Sequence, residues 1–264
     1  MNKLALLFLV VICVSFATAQ DDYHKIEVSG NYSFERVKGF PGDSLQGTTN
    51  LGGTLTSTTG ANRNHNLNGF NAAAVYNFSK YFGAKFEFSG NYGSDANHIL
   101  PGGTYTEANN FTLLVIPASS GANASQRDYK YLGGLQFKDN STEKKLKPFA
   151  QALFGSARQT TSFPNLDQQR VNLIGGRTIK SNGFSMAFGG GLDVRISKRI
   201  DIRVIQFDYN PVFTKEKTLV ALGAKVDPLL INIAAPGPAT TLQDLKVPKH
   251  TEHNFRIGFG IVFH

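Results

Sequence analysis

The chain of 264 residues has one cysteine, no tryptophan and two methionines. Cys13 lies in an apolar run near the start, and Ile12 before it is not the small residue that lipoprotein processing prefers. The rest of the chain therefore has no disulfide to rely on. No second long apolar run follows, so no transmembrane helix is expected, since one needs about 20 apolar residues. No long stretch has the 3.6-residue periodicity of an amphipathic helix. The net charge is +8, but it is spread along the chain. There is no dense Lys/Arg tract and no aromatic nucleic-acid motif, which argues against a nucleic-acid partner. Mean hydropathy is slightly negative, at −0.19.

What is present starts with a leader. Lys3 precedes Leu4 to Val14, and Ala17-Thr18-Ala19 stands before Gln20. A cationic start, a short apolar stretch and an Ala-x-Ala site describe a secretory signal peptide over residues 1–19. Residues 20–264 are then compatible with one all-β domain. With 27 glycines, 21 phenylalanines and 9 tyrosines, the composition is one of strands and loops with aromatic rings to spare.

The last strand is the clearest. Phe255, Ile257, Phe259, Ile261 and Phe263 occupy every second position, against Asn254, Arg256, Gly258, Gly260 and Val262. Successive side chains of a strand point to opposite faces. An apolar outside around a polar inside is the pattern of a transmembrane β-barrel strand.

Alternation marks seven more strands. The first, about His24 to Val37, puts Ile26, Val28, Tyr32 and Phe34 outward and Glu27 and Glu35 inward. The second spans Gly69 to Phe78. The third, Phe82 to Tyr92, sets Phe82, Phe86 and Phe88 against Lys85 and Glu87. The fourth, Tyr129 to Phe137, turns Tyr129 and Tyr131 out and Lys130 in. The fifth, Lys147 to Arg158, is ambiguous in phase, because Phe149 and Leu153 oppose Ala152 and Phe154. The sixth, Phe184 to Ile196, places Asp193 and Arg195 inward. The seventh starts at Ile200 with Asp201 and Arg203 inward, and breaks at Val204-Ile205-Gln206, which suggests a bulge.

The connections sort by length. Ser79 to Tyr81, Lys138 to Leu146 and Ser197 to Arg199 are short and basic. Lys38 to Asn68, Gly93 to Asp128, Gln159 to Gly183 and Asn210 to His253 are long. Short turns at one end and long loops at the other match the layout of outer-membrane barrels. The first long connection is rich in Gly, Thr and Asn, and mobility is expected of it. The last contains Val220 to Ala235, which could carry an extra hairpin outside the membrane and so bring the strand count to ten. The expected fold is a single antiparallel up-and-down transmembrane barrel of eight strands, with ten as the alternative.

With those strands in place, the chain resembles the small bacterial outer-membrane β-barrel family, akin to the membrane domain of outer-membrane protein A. Lys147-Pro148-Phe149-Ala150-Gln151-Ala152-Leu153-Phe154-Gly155 is similar to that family. So is Met186 to Arg195, followed by Ser197-Lys198-Arg199 and Arg203. The resemblance implies the bacterial outer membrane as location, its lipid as partner and a monomeric state. It also implies that Phe255, Ile257, Phe259, Ile261 and Phe263 are read by the barrel-assembly machinery. No residues follow the last strand, so tethering to the cell wall through an attached periplasmic domain is not expected. No extracellular loop partner can be named.

Three functional readings remain open. In the first, Glu27, Glu35, Lys85, Glu87, Lys130, Asp193, Arg195, Asp201, Arg203 and Arg256 form a salt-bridged network that fills the lumen. The protein is then structural or surface-interacting. In the second, the same charges line a porin-like path; opposite signs in similar numbers favour the network. In the third, the barrel is a lipid-modifying enzyme. No His-Ser-acid set stands at suggestive spacing, and His250 and His253 fall on opposite faces of a strand, so no catalytic residue, metal or cofactor is expected. Gly189-Gly190-Gly191 lies within a strand with no helix after it, so it is no phosphate loop. Lys80, Lys144, Lys145, Lys147, Lys198 and Arg199 on the short turns either meet phospholipid headgroups or serve solubility.

Overall fold

The structure, a computed structural model, describes residues 23–38, 46–49, 54–57, 64–100, 103–106, 112–116, 119–166, 176–220, 224–225 and 241–264. The leader expected at residues 1–19 lies outside them. Among the described residues, fifteen strands follow in chain order. They are β1 (Ile26–Lys38), β2 (Gln46–Thr49), β3 (Thr54–Ser57), β4 (Asn64–Asn77), β5 (Phe82–Leu100), β6 (Gly103–Thr106), β7 (Thr112–Ile116) and β8 (Ser119–Lys138). Then come β9 (Leu146–Ser162), β10 (Thr178–Arg195), β11 (Ile200–Thr214), β12 (Lys217–Val220), β13 (Ala224–Lys225), β14 (Thr241–Val247) and β15 (His250–Phe263).

Eight of them close an antiparallel barrel in the order β1-β15-β11-β10-β9-β8-β5-β4. Closure comes from pairing the first strand with the last, for example Tyr32 opposite Phe259. A closed ring leaves no unpaired backbone edge, which hydrocarbon would not tolerate. The ten-strand alternative does not hold. The strands within the last long connection, β12 to β14, pair with one another and with β2, outside the barrel. They belong to a second sheet, ordered β12-β14-β2-β3-β6-β7, with β13 on β14. Three of the four long connections supply its strands. The first of these contributes β2 and β3, and residues 39–45, 50–53 and 58–63 of that connection, where mobility is expected, lie outside the described residues.

The barrel strands run further toward the long connections than the apolar rows do. β5 continues past Tyr92 to Leu100, and β8 starts at Ser119 rather than Tyr129. Backbone pairing persists where outward residues no longer meet hydrocarbon, so hydrophobic alternation marks only the membrane part of each strand.

Burial is inverted relative to a water-soluble fold. Phe86 is 72% exposed, and Phe263, Phe259, Phe82, Tyr131 and Leu135 are also exposed on the outer surface. Glu35, Lys130, Asp193, Asp201 and Asp208 are wholly buried. Among the described residues no helix is long and apolar enough to cross a membrane.

Two details depend on backbone geometry. Opposite Leu192/Asp193 and between Arg203 and Gln206 the register shifts, so Val204 and Ile205 both face out. This is the bulge expected from the broken alternation. At Gly189, Gly190 and Gly191 an added Cβ would lie 2.1, 2.3 and 2.1 Å from the carbonyl oxygens of Phe207, Phe149 and Ile205. The glycines let neighbouring strands approach there, in line with the strand reading.

The short turns are locally pinned. Ser79 Oγ accepts from the amides of Tyr81 and Phe82 at 3.3 and 3.0 Å. Asp139 accepts from the Ser141 amide at 3.1 Å and pairs with Lys144 at 2.5 Å. Burial alone would raise the Asp139 carboxyl, but the Lys144 and Ser141 hydrogen bonds win and hold it at about 2.

Candidate functional site in the barrel lumen

The inward rows of the eight strands meet in three tiers. At the short-turn end, Lys138 Nζ donates to Glu27 at 2.9 Å and to Asp193 at 3.0 Å. Arg203 grips the same Asp193 with Nε at 2.8 Å and Nη2 at 3.1 Å, and lies 4.3 Å from the Phe149 ring centroid. Lys147 donates to Asp201 at 2.9 Å. His264 turns into the lumen, with Nε2 2.8 Å from Asp201 and Nδ1 3.6 Å from Glu27. Its ring stacks on His24 at 4.2 Å between centroids. Burial, then the positive groups at His264, Lys147 and Arg195, lowers the His24 imidazole to about 4.

In the middle tier Arg256 donates through Nε and Nη2 to Asp208, at 3.1 and 2.7 Å, and through Nη2 to Glu87 at 2.5 Å. Lys85 pairs with Glu87 at 3.2 Å and donates to Gln151 at 2.6 Å. Gln151 and Gln206 each donate to Asp208 at 2.6 Å.

In the tier toward the long connections, Lys130 pairs with Glu35 and, at 3.1 Å, with Asp128. Asn91 also donates to Glu35, at 2.7 Å. Gln159 donates to Glu252 at 2.5 Å, and His250 Nε2 lies 3.1 Å from the other oxygen of Glu252. Two carboxylates, Glu35 and Asp128, flank the lysine, and a third, Glu252, belongs to the same tier. The side-chain amides of Gln126, Asn210 and Asn254 are buried without a hydrogen-bond partner among the described residues.

Nine of the ten residues expected inside are buried there: Glu27, Glu35, Lys85, Glu87, Lys130, Asp193, Asp201, Arg203 and Arg256. Arg195 differs. It sits at the rim, partly exposed, 3.8 Å from Asp201 and donating to the Ser141 carbonyl at 3.3 Å. Its place at the end of β10 leaves no further tier to enclose it. Lys147 corrects another expectation. Grouped by sequence with the basic turns, it is buried against Asp201 and meets no headgroup.

Sequence reasoning missed Lys138, Asp128, Asp208 and Glu252, which are all buried ionisable side chains. Lys138, Asp128 and Glu252 lie beyond the apolar rows, where alternation gives no signal. Asp208 follows the bulge, which resets the phase. The fifth strand's phase is decided by what it pairs with. Lys147 and Gln151 have partners inside, so Phe149 and Leu153 turn in with them, and Phe154 faces out. Leu153 packs with Leu132 and Ala187 in a small apolar wedge within the lumen.

One hydroxyl–imidazole–carboxylate contact escaped the sequence because its members come from paired strands. Thr214 Oγ1 lies 2.9 Å from His250 Nδ1, whose other nitrogen faces Glu252. The Thr214 hydroxyl also donates to the His250 carbonyl at 2.9 Å. His253 is on the opposite, exposed face against Tyr209. Among the described residues no group of three or more His, Cys, Asp or Glu could hold a metal ion.

Fold and surface together define the class: a small antiparallel transmembrane β-barrel of the outer-membrane type, apolar outside and charged within. No protein-family profile matches the chain, and no curated protein matches it. Solved structures do. Ail, the attachment invasion locus protein of Yersinia pestis, is 13% identical over 91% of this chain and 100% of that one, with a TM-score of 0.38. Neisserial surface protein A is 9% identical over 91% and 97%, with a TM-score of 0.44. OprG of Pseudomonas aeruginosa is 16% identical over 93% and 100%, with a TM-score of 0.42.

Proposed function

We propose that the chain is an integral protein of the bacterial outer membrane with a closed, salt-bridged lumen, and that it acts structurally or at the surface through its long connections. The supporting observation is the set of charge pairs that cross the lumen. Arg256 of β15 reaches Glu87 of β5, and Lys138 of β8 reaches Glu27 of β1. An eight-strand barrel is just wide enough for side chains to fill, and buried ions of opposite sign that fill it leave little room for solute. A closed ring also fits a monomer. Phe255, Ile257, Phe259, Ile261 and Phe263 form the outward row expected of an assembly signal. The test is planar-bilayer recording with purified, heat-modifiable protein. The closed reading expects no stable conductance, and steady open channels in most insertions would overturn it.

The tier toward the long connections favours one second reading. Its surplus of carboxylates and its unpaired amides suit a narrow cation-preferring path. That path would show as cation-selective conductance reduced by Glu252→Gln.

We read the protein as non-enzymatic. Thr214, His250 and Glu252 face the lumen, not lipid, and the threonine hydroxyl is engaged by a backbone carbonyl. Phospholipid hydrolysis by the purified barrel, lost in His250→Gln, would establish the enzyme instead.

A further inference from the structure

On the eight barrel strands, every described carboxylate points inward. The outward charges are cations: Arg36 on β1, Arg127 on β8, Arg158 on β9 and Lys180 on β10. All four lie toward the long connections, and three of them sit on adjacent strands.

The register places those three together. Thr160 pairs with Arg127 on one side and with Lys180 on the other, so these three form one outward row. Arg158 belongs to the next row, between Tyr129 and Asn182. Strands lie about 4.8 Å apart, so the Arg127 and Lys180 backbones are roughly 10 Å apart with Arg158 a step below. Long side chains from these positions converge easily. Lys217 of β12 joins them, its ammonium donating to the Lys180 carbonyl at 2.7 Å. Burial, then the Lys180 charge, lowers the Lys217 ammonium below its usual value. Arg127, Arg158 and Lys180 have no ion-pair partner among the described residues.

Directly below comes the row Tyr131, Ser156 and Phe184, and the exposed ring of Phe154 follows. Cations just above an apolar outer face match an amphiphile whose anionic head is followed by acyl chains.

We propose that this rim patch binds the phosphate groups of an outer-leaflet glycolipid, with Arg127, Arg158 and Lys180 as the phosphate contacts. Guanidinium groups hold phosphate through paired charge-assisted hydrogen bonds. A lipid is preferred to a free anion because the side chains project outward over the hydrocarbon-facing surface, not into the lumen or a pocket. The proposal rests on the outer-membrane reading above.

The experiment titrates full-length folded protein in detergent micelles with purified bisphosphorylated lipid A, counting bound lipid by native mass spectrometry. Heat-modifiable gel mobility confirms folding of each variant. The triple variant R127Q/R158Q/K180Q should bind about tenfold more weakly or worse. The R36Q variant, whose arginine lies away from the patch, should bind as the parent does, and dephosphorylated lipid A should bind weakly to both. Undiminished binding by the folded triple variant would overturn the proposal. So would inorganic phosphate competing as well as the lipid does, which would make this a free-anion site. A parent chain that never reaches the heat-modifiable state in lipid would instead sink the outer-membrane reading, and the proposal with it.

Discussion

Replacing Arg256 with Met should destabilise the lumen strongly. The arginine is 1% exposed and joins two wholly buried carboxylates from different strands. Its loss strands one negative charge in the middle tier. Breaking a buried pair by removing one partner costs about 3–5 kcal/mol. The remaining contacts soften this, since Glu87 keeps Lys85 and Asp208 keeps two glutamine donors. The low end, about 3 kcal/mol, is expected, or a shift of roughly a hundredfold in the folding equilibrium. Adding Asp208→Asn should restore neutrality and recover about 2 kcal/mol, a clear departure from additivity. Arg256→Lys keeps the charge but loses the two-armed grip, and should fall between parent and Arg256→Met. The assay is urea unfolding from lipid vesicles, read by the fraction of protein with folded gel mobility. A loss below about 1 kcal/mol in Arg256→Met, or strictly additive effects in the double variant, would refute a tightly paired lumen.

Phe86→Arg puts a cation on the lipid face and should cost about 2–4 kcal/mol by the same assay, whereas a neutral result would mean that Phe86 does not meet hydrocarbon. Deleting Ile261 to His264 removes part of the β1–β15 seam and the His264 contacts with Asp201. The exported chain should stay unassembled and protease-sensitive, and normal heat-modifiable insertion would contradict both closure and the assembly signal. The folded His24 imidazole titrates at about 4, below its ordinary 6.5. In the unfolded chain it takes up a proton at higher pH, so stability should fall as pH drops from about 6.5 to 4 and then level off. His24→Gln should remove that part of the pH profile, and an unchanged profile would show that His24 is not its source. N-terminal sequencing of the exported protein should begin at Gln20; retained Met1 would exclude cleavage after Ala19.

Local chemistry was enough to place the membrane-facing surface. Alternation works over Phe82 to Tyr92 and over the last strand because lipid demands an apolar residue at every second position, and a slip of one residue would put Lys85 and Glu87 in hydrocarbon. The same demand explains why nine inward charges could be named from the sequence. It also explains where that reading stopped. Beyond the bilayer the outward constraint lapses, so Asp128, Lys138 and Glu252 carry no local mark of facing in.

The sequence by itself determined the class of strand, the sorting of short and long connections, and the sign of burial on each face. Each follows from a two-residue period or from the spacing between strands. Only the tertiary structure decided which ions pair, because partners such as Lys130 and Glu35 lie 95 residues apart and meet only once the ring closes. It also decided that the ring holds eight strands, since β12 to β14 had to choose between joining the barrel and pairing with β2. The phase of β9 was settled the same way. Neither of its faces is plainly polar, so Lys147 and Gln151 could orient the strand only through partners on β5 and β11.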